Sequence, residues 1–277
     1  MTVNMTDMET CTLADSEFSL LCQIPAVLRA RGFRLYLSND KRLVDLWQNG
    51  SAAVLGHTPP NLLRELKNSA SRGLYAPFPH FTEGRYLKAL CKLLPGHSFR
   101  LYAAPPPQLT ALFDSGKVKF WRPYLNPETP FAFDNSPLFI PVLPGIQTWR
   151  NGLPLGLCVA AAKNETLLSQ LPANDPLSPI LLAIAARGVH DILAAPDRAK
   201  PNLPRVKKAL KDSASKWQKQ GIYLSLKKEP SPQEWDAFFN QFFEAGFLLP
   251  PTPNHPLILP GELSDGEEAK LAVLLAN

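Results

Sequence analysis

Residues 43–67, LVDLWQNGSAAVLGHTPPNLLRELK, constrain the fold more than any other stretch, because they admit essentially one succession of structures. LVDLW is an apolar, β-rich run, and Gly50 and Gly56 bracket SAAVL where the backbone must turn sharply. Pro59 and Pro60 suit a first helical turn, in which a missing N–H costs nothing. Leu62, Leu63, Leu66 and Ala70 then fall on one helical face before Gly73 stops the helix. The preceding run, FRLYLS, is joined to LVDLW by the turn formers Asn39-Asp40-Lys41-Arg42, so the two read as a hairpin.

Proline sets the scale of everything else. There are 29 prolines among 277 residues, well above the usual share of about 5%, which predicts short elements joined by stiff connectors. Amphipathic spacing predicts a helix over about Thr82–Leu94 and another, opened by Asp175-Pro176, carrying Ile180, Leu181, Ile184, Val189 and Ile192. Strands are expected at 99–103, 138–143 (LFIPVL) and 155–161 (LGLCVAA), with a short helix at 108–112. Prolines 196, 201 and 204 mark a linker. Beyond it the chain reads as an α+β unit: a helix over 204–220, the strand GIYLSLK, an aromatic helix over Trp235–Phe243, the strand HPLILP and a terminal helix. Ser231/Glu234 and Ser264/Glu267 have capping-box spacing ahead of the last two helices. Residues 1–18 are polar and expected to be disordered.

Charge and cysteine usage narrow the function classes. The net charge of +5 is spread along the chain with acids interleaved, except between Lys200 and Lys228. That basic stretch has no aromatic side chains interleaved on its polar face, so it reads as a solvated surface and not as a nucleic-acid interface. Cys11, Cys22, Cys91 and Cys158 lack the close pairs of zinc or redox motifs, which predicts free thiols, no metal and a reducing, cytoplasmic setting. No apolar run approaches the ~18 residues of a membrane span.

The order of hairpin, Leu55-Gly56-His57-Thr58-Pro59, helix, Ala76-Pro77-Phe78, helix and Leu94-Pro95-Gly96 resembles the N-terminal part of class III aminotransferases. These are pyridoxal-phosphate (PLP) enzymes of the aspartate-aminotransferase fold. Gly152-Leu153-Pro154-Leu155-Gly156 is similar to that family's glycine-rich segment after its catalytic lysine, and the C-terminal element order is similar to its small domain. The resemblance covers about residues 28–104 and 138–277. It implies an α/β PLP-transferase-like fold and a homodimer, with a related active aminotransferase as a further conceivable partner. The domains would be the N-terminal part of a small domain at 19–57, a large domain at 58–198 and the remaining α+β small domain at 199–277. The interval between the strands at 99–103 and 138–143 is only about 35 residues, room for one crossover. A truncated large-domain sheet of about three strands follows, with LFIPVL as an edge that tolerates Pro141.

The family's chemistry needs a Schiff-base lysine, an aspartate on the pyridine nitrogen, backbone N–H groups for the phosphate and an arginine for the substrate carboxylate. Counted back from the glycine-rich segment, the lysine's place holds Gln147, whose amide cannot form an imine. The phosphate cup's place holds Pro105-Pro106-Pro107, which have no N–H. Asp134 is the one aspartate offered for the ring nitrogen, and its spacing to Gln147 is short for the family. The strand HPLILP has leucine and isoleucine where the family's basic residue would stand. The resemblance therefore implies a degenerate member with no PLP bound, acting as a binding, interaction or regulatory protein. The alternative is an aminotransferase or other enzyme with a relocated or remodelled site. That reading requires a cleft lined by His57, Asp134, Gln147 and Arg150, and fails if side chains such as Trp149 and Phe131 fill the space.

Overall fold

The computed structural model describes residues 19–132, 137–211 and 215–276. The N-terminal residues 1–18, including Cys11, and the candidate Asp134 lie outside the described residues. In chain order the first elements are β1 (Val27–Arg31), β2 (Arg34–Leu37), β3 (Arg42–Asp45), α1 (Pro60–Ala70), α2 (Thr82–Leu93), β4 (Ser98–Tyr102) and α3 (Pro107–Asp114). The middle of the chain forms β5 (Lys119–Trp121), β6 (Leu138–Pro141), β7 (Thr148–Arg150), β8 (Leu153–Leu155), β9 (Cys158–Ala162), α4 (Glu165–Leu168) and α5 (Pro179–Leu193). The last part contributes α6 (Pro204–Ala209), β10 (Trp217–Gln220), β11 (Tyr223–Leu226), α7 (Pro232–Glu244), β12 (Phe247–Leu248), β13 (Leu257–Ile258) and α8 (Asp265–Ala276).

Many of the prolines are helix starters. α1, α3, α5, α6 and α7 each carry proline in their first two positions, where the fixed φ is already helical and no intrahelical donor is lost. The expected capping box closes α7: Ser231 Oγ accepts from the Glu234 N–H at 3.2 Å, and Glu234 Oε2 accepts from the Ser231 N–H at 2.7 Å. The same reciprocal pair joins Ser264 and Glu267 at the start of α8. Glu267 also takes a bidentate bond from Arg34 on β2, 3.0 Å to Nε and 2.7 Å to Nη2, which fastens the C-terminal helix to the N-terminal hairpin.

Both chain ends build one sheet, ordered β1-β2-β3-β12, in which β12 runs parallel to β3. A three-stranded sheet, β10-β11-β13, and the β7–β8 hairpin stand beside it. The central sheet is ordered β4-β9-β6-β5, one strand more than the three expected. The extra strand, β5, comes from the aromatic passage and pairs parallel with β6, so LFIPVL is interior and not an edge. Pro141 is still accommodated, because the β9 ladder on its other side pairs only Leu138 and Phe139. α5 packs on α1 and α2 and buries Leu182, Ile184, Val189 and Ile192.

Two further expectations are corrected, and one helix face is less covered than its neighbours. The helix expected over 204–220 ends at Ala209, and Trp217 instead begins β10, paired with Leu226. The apolar stripe of α1 is largely open: Ser69 is its one fully buried residue and Leu63 faces solvent. The proline-framed stretch read as a linker sends Arg198 into the interior. Its Nε donates to the Val54 carbonyl at 2.8 Å, and its Nη2 donates to the Leu259 carbonyl at 2.5 Å.

Candidate functional site

The place where the resemblance locates the catalytic lysine lies between the turn after β3 and the β7–β8 hairpin. Strand alternation sends Thr148 and Arg150 outward and Trp149 inward. Trp149 is 2% exposed. Its Nε1 donates to Asn49 Oδ1 at 3.0 Å and lies 3.3 Å from the Asn49 carbonyl. Its ring meets Phe120 and His255 edge-on, with centroids 5.7 and 4.7 Å away. The receiving turn is unusual: Gln48, Asn49, Gly50 and Ser51 all have positive φ, at 46°, 47°, 66° and 108°. Such backbone persists only where its surroundings over-determine it. At Gly50 a Cβ would stand 2.4 Å from the indole, so this position must be glycine for the ring to seat.

The structure holds the sequence-derived candidates in separate places. Gln147 Nε2 donates to the Leu157 carbonyl at 3.0 Å, its own carbonyl accepts from Asn49 Nδ2 at 2.9 Å, and its buried Oε1 has no partner. His57 Nε2 lies 2.8 Å from Asp45 Oδ2, while Asp45 Oδ1 accepts from the Trp47 and Gln48 N–H groups. That pair fixes the turn leaving β3. Arg150 is exposed. None of five cavities of 220 to 610 Å³ is lined by His57, Gln147 or Arg150. Trp149 occupies the crevice, whereas Phe131 packs away from it against Tyr124.

At the position of the phosphate cup, α3 begins on Pro107 behind Pro105 and Pro106. The N–H of Ala103, at the end of β4, is bonded to Asp175 Oδ2 at 2.9 Å. Three residues there offer no donor, and this one is already committed to a carboxylate.

Sequence reasoning missed the groups that surround Trp149. Arg122, just past β5, places its guanidinium over the Phe120 ring with Nε 3.4 Å from the Gly50 carbonyl. His255, in the proline-framed loop before β13, is 4% exposed and its Nδ1 has no partner. A histidine between an asparagine and a proline carries no local signal for burial beneath a tryptophan a hundred residues away. Burial first, and then the charge of Arg122, push the His255 pKa down to about 3 from its ordinary 6.5. Between those values the unfolded chain binds the proton that the folded chain refuses, so stability falls as pH drops below 6.5. The expected slope is up to about 1.4 kcal/mol per pH unit, and His255→Gln should flatten it. Glu267 adds its own acid loss only later: burial opposes, but Arg34 and Ser264 outweigh it and hold the carboxyl at about 2, below its ordinary 4.5. Urea titrations of both proteins between pH 6.5 and 4.5 give the His255 share as the difference between the two slopes, because burial and then Arg187 also lower the His190 pKa and that contribution is common to both.

No protein-family model matches the chain. Two relatives, both described as uncharacterized proteins, are similar over most of their length. The one from Treponema pallidum is 27% identical, covering 84% of this chain and 88% of the relative. The one from Borreliella burgdorferi is 24% identical, covering 91% and 90%. Among solved structures, an ornithine aminotransferase from Plasmodium yoelii superposes with a TM-score of 0.63 at 14% identity, covering 91% of this chain and 92% of that one. An acetylornithine aminotransferase from Elizabethkingia anophelis gives 0.59 at 11% identity over 91% and 92%. An omega-transaminase from Sphaerobacter thermophilus gives 0.62 at 11% over 91% and 90%. The chain has the fold of the class III aminotransferases.

Proposed function

We propose that this protein is a degenerate aminotransferase-fold protein that does not carry out PLP-dependent transamination and works as a binding or interaction protein. The observation that supports this most is the crevice at Gln147: the residue there is an amide tied to Leu157, and Trp149 takes the adjoining space. An amide nitrogen is not a nucleophile toward an aldehyde, so the covalent anchor for PLP is missing in this reading. The three prolines leading α3 remove backbone donors that would hold a phosphate. Exposed and buried free thiols at Cys91 and Cys158 fit the cytoplasm.

The partner in this reading is a second copy of the chain. Tyr75, Phe78 and Phe81, which follow α1, are 75%, 60% and 59% exposed, and Leu63 of α1 is also open. Large aromatics left open in one segment mark a contact surface more than a solvated loop. No helix among the described residues is long and apolar enough to cross a membrane. Mixing the purified protein with PLP should give no imine absorbance and no borohydride-trapped lysine, and light scattering should give twice the monomer mass. A stoichiometric trapped lysine would overturn the loss of PLP chemistry, and a monomer at working concentration would overturn the dimer.

A further inference from the structure

The end of the 204–220 stretch as a single helix has a consequence for its lysines. In one continuous helix Lys207 and Lys219 would stand about 18 Å apart along the axis. Because α6 stops at Ala209 and the chain returns as β10, both side chains instead line one open cavity of about 610 Å³. Its walls are stiff. Pro127, Pro201 and Pro204 line it and hold φ fixed. The Glu128 N–H donates to Asn126 Oδ1 at 2.9 Å and the Leu203 N–H to the Pro201 carbonyl at 3.1 Å. Lys200 Nζ meets Glu128 Oε1 at 3.1 Å and ties the two rims together.

Lys219 sits where strand alternation would place an apolar side chain. It is paired with Leu224 and shares its face of the β10–β11 hairpin with Trp217 and Leu226. A lysine in such a place lays its stem over the apolar surface and keeps its ammonium at the opening. Neither Lys207 nor Lys219 forms an ion pair among the described residues, whereas Lys200 has Glu128. Three lysines against one glutamate leave the cavity with two uncompensated positive charges. The two free ammonium groups feel each other: burial, and then the charge of Lys207, lower the Lys219 pKa below its ordinary value. The start of α6 offers nothing further, since the Arg205 and Val206 N–H groups already bond Glu268 Oε1.

We infer that this cavity binds a small phosphomonoester, with the phosphate between the Lys207 and Lys219 ammonium groups and the carbon skeleton against Pro127, Pro201 and Pro204. A phosphomonoester carries close to two negative charges at neutral pH, which matches the two free cations. The volume is that of a small-molecule site, typically about 300–1,000 Å³, and exceeds what a bare phosphate fills. No aromatic side chain lines it, so a stacked base has no platform and an aliphatic skeleton such as a sugar fits better. The cavity shares no residue with the Gln147 crevice or with Pro105–Pro107, so this assignment stands or falls separately from the loss of PLP chemistry.

Calorimetric titration of the full chain with glucose 6-phosphate and glycerol 3-phosphate, beside glucose, glycerol, inorganic phosphate and a single-stranded oligouridylate, tests it. At least one of the two esters should saturate one site per chain, more tightly than inorganic phosphate, with the neutral parent silent. Lys207→Gln and Lys219→Gln, both at exposed positions, should each weaken that binding by about 10- to 100-fold. Lys208→Gln removes an exposed charge of α6 that lies outside the lining and should leave it unchanged. No saturation by either ester, tighter binding of inorganic phosphate or of the oligouridylate, or equal weakening by all three substitutions would overturn the assignment.

Discussion

Trp149→Ala is expected to destabilise the protein by about 3–5 kcal/mol, the range for deleting a large buried aromatic whose site cannot collapse. Collapse is opposed on every side. The indole is wedged between Phe120 and His255 and against the left-handed turn at Gly50, and it donates to Asn49. Its loss leaves the Asn49 carbonyl and amide without their donor in a place water reaches poorly. Gly50→Ala attacks the same contact from the other side, because the new methyl would lie 2.4 Å from the ring and φ is +66°. The two substitutions should be strongly non-additive. Once the indole is gone, alanine at position 50 should cost only its left-handed backbone strain, about 1–2 kcal/mol. Urea midpoints for the two single variants and the double variant give the coupling. Additive costs would mean that the tryptophan does not seat on that turn.

The sequence made the outline of this arrangement legible and hid its interior. Hairpin β2–β3, helices α1, α2 and α5, and both capping boxes follow from local signals: turn formers, proline at helix starts, and serine three residues before glutamate. β1 was missed because VLRAR shows no alternation, and its residues are in fact mostly exposed. β5 was missed because three residues of an aromatic, proline-rich passage carry no period, yet they decide that β6 is interior. The helix expected over 204–220 failed for a different reason. Its lysine-rich pattern fits a helix and a strand alike, and pairing of Trp217 with Leu226 settles it. At the site, Gln147 was named by counting back from the glycine-rich segment, whereas Arg122, Arg198 and His255 act through partners 60 residues or more away: Arg122 on Gly50, Arg198 on Leu259 and His255 against Trp149.

Those distant partners explain why charge is concentrated without acids at the centre of the molecule. Arg198 is neutralised by carbonyls and by the Phe33 face, and Arg122 by one carbonyl and the Phe120 face. The first has short bonds on two of its nitrogens, and its buried Nη1 has no partner. The second has one long bond and a cavity beside it.

The hairpin that walls this cavity depends on one glycine, and Gly221→Ala should cost about 2–5 kcal/mol through left-handed strain plus overpacking. Gly221 and Ile222 form the two-residue turn between the paired Gln220 and Tyr223, with φ of +58° at the glycine. A Cβ there would collide with the backbone carbonyls of Tyr124 and Leu125, the latter at 2.6 Å. These are backbone atoms held from behind, since Tyr124 takes a hydrogen bond from the Ile222 N–H at its carbonyl and donates its hydroxyl to the Ile192 carbonyl. The hairpin must therefore move off the 122–125 segment, carrying Gln218, Gln220 and Tyr223 away from Arg122. Gly73→Ala is the matched control: its φ is +69° and nothing lies within 4 Å of the added methyl, so it should show the strain alone. The difference between the two urea midpoints measures overpacking at the hairpin. Equal costs in the two variants would show that the hairpin is not seated on Tyr124.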